Sequence, residues 1–285
     1  MGQNKRKVNN AIATTKNDNK IKDVEIPDRM DCNHYSLRAE LGKNFSAPVE
    51  NLLKSGGAKV LNARCGTGIW TLEMATDFMK SKFYGIDTTD YFPTQVLPYN
   101  VKLEQIKDLS DKLPYKDEKF DYIYLRETIR YIENEDWCGN ILSEAIRVLK
   151  NGGWIEICEP EMEVSDFGPN MKKYFDEIIS LMKSRNIETN ISQRLVEILK
   201  STKSFDLMEV SCVELKYGKW GGITGEYMAE SFLDHMLEKK EYLKNTMGMS
   251  ESETVKFIDD CRDELRSEEI RGKSKCIIIH ARKQK

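Results

Sequence analysis

The fold is decided by the stretch Lys59-Val60-Leu61-Asn62-Ala63-Arg64-Cys65-Gly66-Thr67-Gly68-Ile69-Trp70-Thr71-Leu72-Glu73-Met74-Ala75. Its apolar start follows two glycines and predicts a buried strand. A tight turn with Gly66 and Gly68 comes next, and apolar residues then recur at helical spacing. A strand, a glycine turn and a helix together point backbone N–H groups and the positive end of the helix dipole at a ligand. The stretch therefore predicts a ligand site at this turn.

An acidic residue supplies the second part of the pattern. Lys82–Asp87 reads as another strand, and its last residue lies 19 positions after Gly68. A carboxylate at that place can accept hydrogen bonds from the two hydroxyls of a ribose. Further buried strands are predicted at Phe120–Arg126 and, after a glycine pair at 152–153, at 154–157. Strands that alternate with helices indicate an α/β fold.

These blocks resemble the class I S-adenosylmethionine-dependent methyltransferases, and most clearly a fungal-type methyltransferase-domain group. The signature blocks run from about Asp31 to Glu159, with a looser likeness at 220–222 and 248–250. The resemblance implies a Rossmann-like α/β fold, a mostly parallel seven-stranded sheet with helices on both faces. It also implies S-adenosylmethionine as cofactor, with its methionine part in the turn and its ribose at Asp87.

Carried over position by position, the resemblance implies the cofactor-binding residues Asn62, Arg64, Cys65, Gly66, Thr67, Gly68, Asp87, Asp108 and Arg126. Asp108 would lie beside the adenine amino group. Arg126 ends a strand at the edge of the sheet where ligands of open α/β sheets collect. No catalytic residue is assigned, because methyl transfer needs a positioned nucleophile and proximity more than a dedicated acid or base.

Two positions depart from the family pattern. Asn62 stands where the family has an acidic residue, and Arg64 stands where it has its first glycine. A non-glycine residue in a sparse backbone conformation costs about 1–3 kcal/mol, which a domain can absorb. The guanidinium would enter the space of the cofactor unless it turns away, and there it would repel the cofactor's cationic groups or pair with its carboxylate. We expect each change to weaken binding by about 1–2 kcal/mol.

Three functions stay open on these residues. The first is an active methyltransferase whose acceptor, a small molecule or a protein, is not identified. The second is a catalytically weakened or inactive methyltransferase-like protein with a binding or regulatory role, since fold does not fix function. The third is a nicotinamide-dependent enzyme, which the missing third glycine of the dinucleotide fingerprint disfavours.

Composition and net charge narrow the classes of binding partner that we expect. The net charge of −3 and the lack of a basic, aromatic-laced face argue against nucleic acid. The sequence has no run of 18 apolar residues, so we expect no membrane span. Seven cysteines without a CxxC pair and three dispersed histidines indicate neither disulfides nor a metal site, and a reducing compartment fits best. We expect a cytoplasmic protein, with the nucleus as an alternative; the sequence does not indicate an oligomeric state.

The expected organisation is a disordered tail at 1–25 followed by a methyltransferase-like domain at 26–285. Its core spans 56–160, and helical insertions and the final strands occupy 161–285. An N-terminal helix with His34, Tyr35 and Arg38 is expected to cover the cofactor pocket, as in similar methyltransferases. The carboxylates at 159–163 suit either a general base or a solvated acidic loop.

Overall fold

The computed structural model describes residues 26–128, 140–187, 189 and 191–285, without the side chains of 26 and 191–193. The tail predicted at 1–25 lies outside the described residues. So do the first positions of the helix predicted at 136–150.

Seven strands and nine α-helices are found in this described part of the chain. The strands are β1 Lys59–Ala63, β2 Lys82–Asp87, β3 Val101–Gln105, β4 Phe120–Arg126, β5 Leu149–Ser165, β6 Phe205–Lys216 and β7 Lys273–Lys283. The helices are α1 Ile26–Leu41, α2 Glu50–Ser55, α3 Ile69–Asp77, α4 Leu142–Val148, α5 Pro169–Ser184, α6 Ile191–Ser201, α7 Gly222–Glu238, α8 Lys240–Thr246 and α9 Glu251–Arg266.

The strands form one sheet in the order β3-β2-β1-β4-β5-β7-β6. All pairs from β3 to β5 are parallel, whereas β7 runs antiparallel between β5 and β6. The predicted Rossmann-like, mostly parallel seven-stranded sheet is confirmed. The strand order reverses between β1 and β4, and in such sheets the crevice at that reversal is where ligands bind.

Each face of the sheet carries its own apolar core. On one face, α2, α3, α5, α7 and α9 contribute to one apolar core that includes Trp70, whose ring stacks on Tyr124 with centroids 4.2 Å apart. On the other face, α4, α6 and the loop around Leu109 and Leu113 cover the strands. Because helices lie on both faces, the central strands are buried on both sides and read as continuous apolar runs.

Two predicted boundaries were wrong. The strand expected at 154–157 begins at Leu149 and runs to Ser165, because Leu149 already pairs with Phe120 across an irregular register. Glu159 and Glu161 therefore lie in a strand and are buried, so the solvated-loop reading does not hold for them. The single helix expected at 222–247 is divided into α7 and α8 near Lys239.

Candidate functional site

The turn after β1 has the backbone shape that its glycines predict. Gly66 and Gly68 take φ values of 56° and 76°, a region that side chains rarely adopt. Gly68 is the N-cap of α3, and its N–H donates to the carbonyl of Cys65 over 2.9 Å. A Cβ built on Gly68 would lie 2.9 Å from Leu103, so a larger residue would collide with β3. The turn is thus a close-packed start of a helix at the sheet's carboxyl edge.

Asp87 lies directly against this turn. The backbone N–H of Gly66 donates to its Oδ2 over 2.7 Å, and Thr89 donates its N–H and hydroxyl to Oδ1, each over 3.0 Å. The side chain is 2% exposed. A carboxylate offers about four acceptor positions. The acid therefore orients the turn while keeping acceptor capacity at the edge where a ribose would lie.

Arg64 spans the point where the strand order reverses. Its Nη1 donates to the carbonyl oxygen of Glu127 over 3.2 Å, which joins the chain just beyond β1 to the chain just beyond β4. Arg64 has a φ of 67° and Glu127 a φ of 52°, both in the left-handed region. Non-glycine residues held there store about 1–3 kcal/mol each and cluster at functional sites. The guanidinium thus reaches across the crevice to the chain beyond β4.

The other two residues of the β1 segment in the predicted set are buried. Asn62 donates from Nδ2 to the hydroxyl of Thr71 over 3.0 Å, which anchors β1 to α3. Cys65 donates its N–H to the carbonyl of Ile86. Burial, and next the charge of Asp87, raises the pKa of the Cys65 thiol far above its ordinary value. That thiol is therefore a neutral packing group at physiological pH.

Helix α1 covers the glycine turn. The methyl carbon Cε of Met30 lies where a Cβ on Gly66 would be placed, so the thioether rests directly on the turn. Next to it, the hydroxyl of Thr67 donates to Asp31 Oδ1 over 2.7 Å. Burial raises the pKa of Asp31. The predicted N-terminal helix thus lies on the glycine turn, and its role as the cover of a cofactor pocket stays a prediction.

The side chain of Arg126, the last residue of β4, contacts helix α1. Its Nη1 lies 3.0 Å from His34 Nδ1, and His34 Nε2 lies 2.9 Å from Glu73 Oε2. Arginine only donates, so Nδ1 must accept and the proton of the neutral ring sits on Nε2, which donates to Glu73. Burial lowers the pKa of His34, which is 0% exposed. Glu73 also accepts from Arg38 over 2.7 Å.

Asp108 lies apart from the hydrogen bonds around the turn. It is exposed, and Ser110 donates its N–H and hydroxyl to Oδ1, each over 2.8 Å. These bonds lower its pKa. The chain leaves β3 beside Asp87, where the N–H of Ile106 donates to the carbonyl of Asp87, so Asp108 is at the same edge of the sheet. Its role at an adenine stays a prediction.

A buried acid of β5, Glu159, holds the chain segment that follows β4. Glu159 Oε1 accepts the N–H of Thr128 over 2.7 Å and its hydroxyl over 2.6 Å. Glu159 is 1% exposed and Thr128 is 0% exposed. These bonds fix the chain just beyond Glu127, the residue that Arg64 contacts. The sequence pointed to this acid only through a cluster of carboxylates.

Met30 and Asp31 contact the glycine turn, and Glu73 contacts His34. None of these three residues was among the predicted cofactor ligands. A methionine and two acids on amphipathic helices have no distinctive local pattern. Only the packing of α1 across α3 brings them to the turn and to Arg126. In the described part of the chain, His, Cys, Asp and Glu side chains do not gather in threes that could hold a metal ion.

Comparison with known proteins identifies the class that this fold and turn define. Residues 60–153 match the family described as "Methyltransferase domain". This match covers about a third of the chain and confirms the resemblance to the class I S-adenosylmethionine-dependent methyltransferases that the sequence indicated. The cofactor of that class is S-adenosylmethionine.

Two curated relatives are fungal proteins named as regulators. The chain is 25% identical to "Secondary metabolism regulator LAE1" of Cochliobolus heterostrophus over 203 residues, which cover 68% of this chain and 64% of that protein. It is 26% identical to "Secondary metabolism regulator laeA" of Coprinopsis cinerea over 147 residues, 50% of this chain and 36% of that protein. The chain thus matches less than two thirds of the length of each.

A solved structure supports the fold alone. It is the complex between the Haloferax volcanii Trm112 methyltransferase activator and a methyltransferase, with a TM-score of 0.51 and 13% identity. The match covers 91% of this chain and 94% of that one. Among the described residues, no helix has the length and apolar character needed to cross a membrane.

Proposed function

We propose that this protein binds S-adenosylmethionine and transfers its methyl group to an acceptor that is a small molecule or a protein. The observation that carries the proposal is the 2.7 Å hydrogen bond from the Gly66 N–H to Asp87 Oδ2. It places the glycine turn and the acid side by side at the carboxyl edge of the sheet, as a ligand with an amino-acid end and a ribose requires.

The residues of the turn fit the methionine end of that ligand. The thioether methyl of Met30 lies on Gly66, so an apolar, methyl-bearing group already contacts this turn. The backbone N–H groups at the start of α3 would supply donors, and Asp87 would supply an acceptor for hydroxyls. When bound, the cofactor supplies an electrophilic methyl group on a sulfonium.

The same geometry gives the chain's residues positioning roles. Asp87 would fix the ribose, Asp108 would lie toward the adenine, and α1 would exclude water from the turn once Met30 moves aside. Glu159 and Thr128 hold the chain beyond β4 in place, on the side from which an acceptor would approach. Binding that aligns two reactants supplies much of the rate of a displacement reaction.

A specific observation favours a second candidate, a methyltransferase-like regulatory protein. The Arg64 guanidinium spans the crevice at Glu127, and the Arg126 guanidinium is bonded to His34. Both contacts tie together chain segments at the edge of the sheet where a ligand would enter. The two curated fungal relatives are named as regulators of secondary metabolism.

Calorimetry with S-adenosylmethionine and S-adenosylhomocysteine tests the proposal. We expect a micromolar dissociation constant, about −8 kcal/mol of binding free energy. Asp87→Asn keeps an acceptor for the turn but loses the charge, and we expect it to bind about 10- to 100-fold more weakly. The matched control is Asp90→Asn, an exposed acid three residues away. No heat with the wild-type protein would overturn the proposal; a thermal shift with NAD would favour the nicotinamide reading instead.

Labelled methyl incorporation separates the two candidates. Protein loaded with methyl-tritiated S-adenosylmethionine is incubated with a cell extract divided by size into small molecules and proteins. Label in either fraction, lost with Asp87→Asn, supports transfer and assigns the acceptor class. Cofactor binding without label in either fraction supports the regulatory candidate.

A further inference from the structure

Three aromatic rings surround the ammonium group of Lys119. Its Nζ lies 4.1 Å from the ring centroid of Tyr84, 4.0 Å from that of Tyr115 and 5.1 Å from that of Phe120. Cations are attracted to the faces of aromatic rings within about 6 Å of the centroid. We call Tyr84, Tyr115 and Phe120 the aromatic cage.

The rings of the aromatic cage stand nearly perpendicular to one another. Tyr84 and Tyr115 meet at 72°, Tyr84 and Phe120 at 75°, and Tyr115 and Phe120 at 87°. Their centroids are 5.0 to 6.1 Å apart. Three such planes form the corner of a box, which can enclose a rounded cation on three sides. Phe120 is 0% and Tyr115 8% exposed, so these walls are fixed by the core.

The aromatic cage presents ring faces to an ammonium group but few hydrogen-bond acceptors. Within the described residues, Lys119 Nζ has no hydrogen bond or ion pair, although it carries three donors. The nearby acid, Glu104, instead accepts from the Tyr115 hydroxyl over 3.3 Å and pairs with Lys102 over 2.7 Å. Burial lowers the pKa of Lys119, and the charge of Glu104 opposes that shift. A methylated ammonium, which has fewer donors to satisfy, suits such a site better than a bare one.

The aromatic cage is separate from the candidate cofactor site. Phe120 is the first residue of β4 and Tyr115 lies in the loop before it, whereas the glycine turn follows the last residue of β1, which is parallel to β4. The two therefore lie toward opposite edges of the sheet. Tyr84, in the middle of β2, has its ring on the face covered by the loop around Leu113.

We propose that the aromatic cage is a binding site for a methylated ammonium group, and that Lys119 fills it as an internal substitute. The ligand would be a methylated lysine side chain or a choline-type head group, which share this chemistry. Lys119 is only partly buried, so its flexible stem can swing out and leave the rings in place. The site is independent of methyl transfer by this protein.

Nuclear magnetic resonance with tetramethylammonium as the probe tests this proposal. Lys119→Ala empties the cage, and we expect it to bind the probe at least about tenfold more tightly than the wild-type protein, because the internal competitor is gone. Ring currents should shift the methyl resonance upfield. Tyr84→Leu in the Lys119→Ala background should abolish both effects. Lys116→Ala, an exposed lysine outside the cage, is the matched control, and thermal unfolding checks that each variant folds.

Two further probes identify the source of the group. Tighter binding of N-trimethyl-lysine than of phosphocholine by Lys119→Ala supports the proposal with a protein ligand, and the reverse order supports it with a choline head group. n-Butylammonium should bind more weakly than either. The proposal is overturned if Lys119→Ala binds tetramethylammonium no better than the wild-type protein, or if Tyr84→Leu leaves that binding unchanged.

Discussion

The side chain of Arg64 donates a hydrogen bond from Nη1 to the main-chain oxygen of Glu127 across 3.2 Å, and both residues have positive φ. Arg64 follows β1 and Glu127 follows β4, the two neighbours between which the strand order reverses. One hydrogen bond therefore crosses the crevice in which open α/β sheets bind their ligands. The arginine that stands at a glycine position of the family pattern thus links the two sides of this crevice.

Arg64→Gly should strengthen cofactor binding. Glycine adopts a φ of 67° without strain, which offsets the loss of one hydrogen bond worth about 0.5–1.5 kcal/mol. We expect the free energy of unfolding to change by less than about 1 kcal/mol, and S-adenosylhomocysteine to bind about tenfold more tightly. Calorimetry measures the affinity and urea denaturation the stability. Arg64→Lys, which keeps the charge but not the planar fork, should give an intermediate affinity; weaker binding by Arg64→Gly would instead make the guanidinium a ligand of the cofactor.

His34 should make stability fall in acid. In the folded protein, burial lowers the pKa of His34 below its ordinary value of 6.5. The unfolded chain therefore takes up a proton first as pH falls. The stability that neutral His34 contributes is present above pH 6.5 and is lost as pH drops toward its folded pKa. The slope for one proton is at most about 1.4 kcal/mol per pH unit.

Urea denaturation of the wild-type protein and of His34→Gln, from pH 7 to about pH 5, measures this contribution. The wild-type protein should be the more stable at pH 7 and should lose that advantage in acid. A constant difference between the two proteins across this range would show that His34 does not titrate on unfolding.

Asp234, on α7 beside α1, should have the opposite pH dependence. Burial, and next the charge of Glu230, raises its pKa to about 6, against 3.8 in the unfolded chain. The folded state binds this proton more tightly, so the associated stability is present in acid and is lost as pH rises through about 6. Asp234→Asn should therefore stabilise the protein at pH 7 by about 1 kcal/mol, a value reduced for solvent screening.

The comparison is again made by urea denaturation. The gain from Asp234→Asn should shrink as pH falls below about 6 and vanish only below pH 3.8, where the unfolded chain binds the proton as well. Glu226→Gln, an exposed acid on the same helix, should change stability little at either pH. A gain that persists in acid would point to packing rather than charge.

Glu264 of α9 should be important for stability. Its carboxylate accepts the backbone N–H groups of Asn170 and Met171 over 2.8 and 2.9 Å, and the Asn170 side-chain amide over 2.8 Å. It thus satisfies donors of the first turn of α5 that have no partner within the helix. Glu264→Ala should lower the free energy of unfolding by about 1–3 kcal/mol.

Thermal and urea unfolding of Glu264→Ala should show this loss as a lower midpoint. Glu268→Ala removes a side chain that is 82% exposed and makes one long ion pair of 3.9 Å with Lys219, so we expect almost no change. Equal effects of the two substitutions would mean that the contacts at the start of α5 contribute nothing.

The sheet was predictable because its signals are local. The informative residues lie within a stretch of 28: Val60, Leu61, Gly66, Gly68 and Asp87. Each of them indicates one local feature without reference to distant parts of the chain. The long apolar strands need no knowledge of their neighbours to be recognised as buried. The start of β5 at Leu149 was missed because it depends on pairing with Phe120, a residue distant in the sequence.

The amino-acid sequence by itself determined the α/β class, the glycine turn and the presence of an acid after β2, because periodicity and glycine act within one element. Only the tertiary structure decided that Arg64 reaches Glu127, that Met30 rests on Gly66, and that Arg126 meets His34. These contacts join residues 36 to 92 positions apart, and long side chains have no direction until strands and helices pack. The family pattern thus predicts where the site lies, whereas packing between distant elements decides which side chains cover that edge of the sheet.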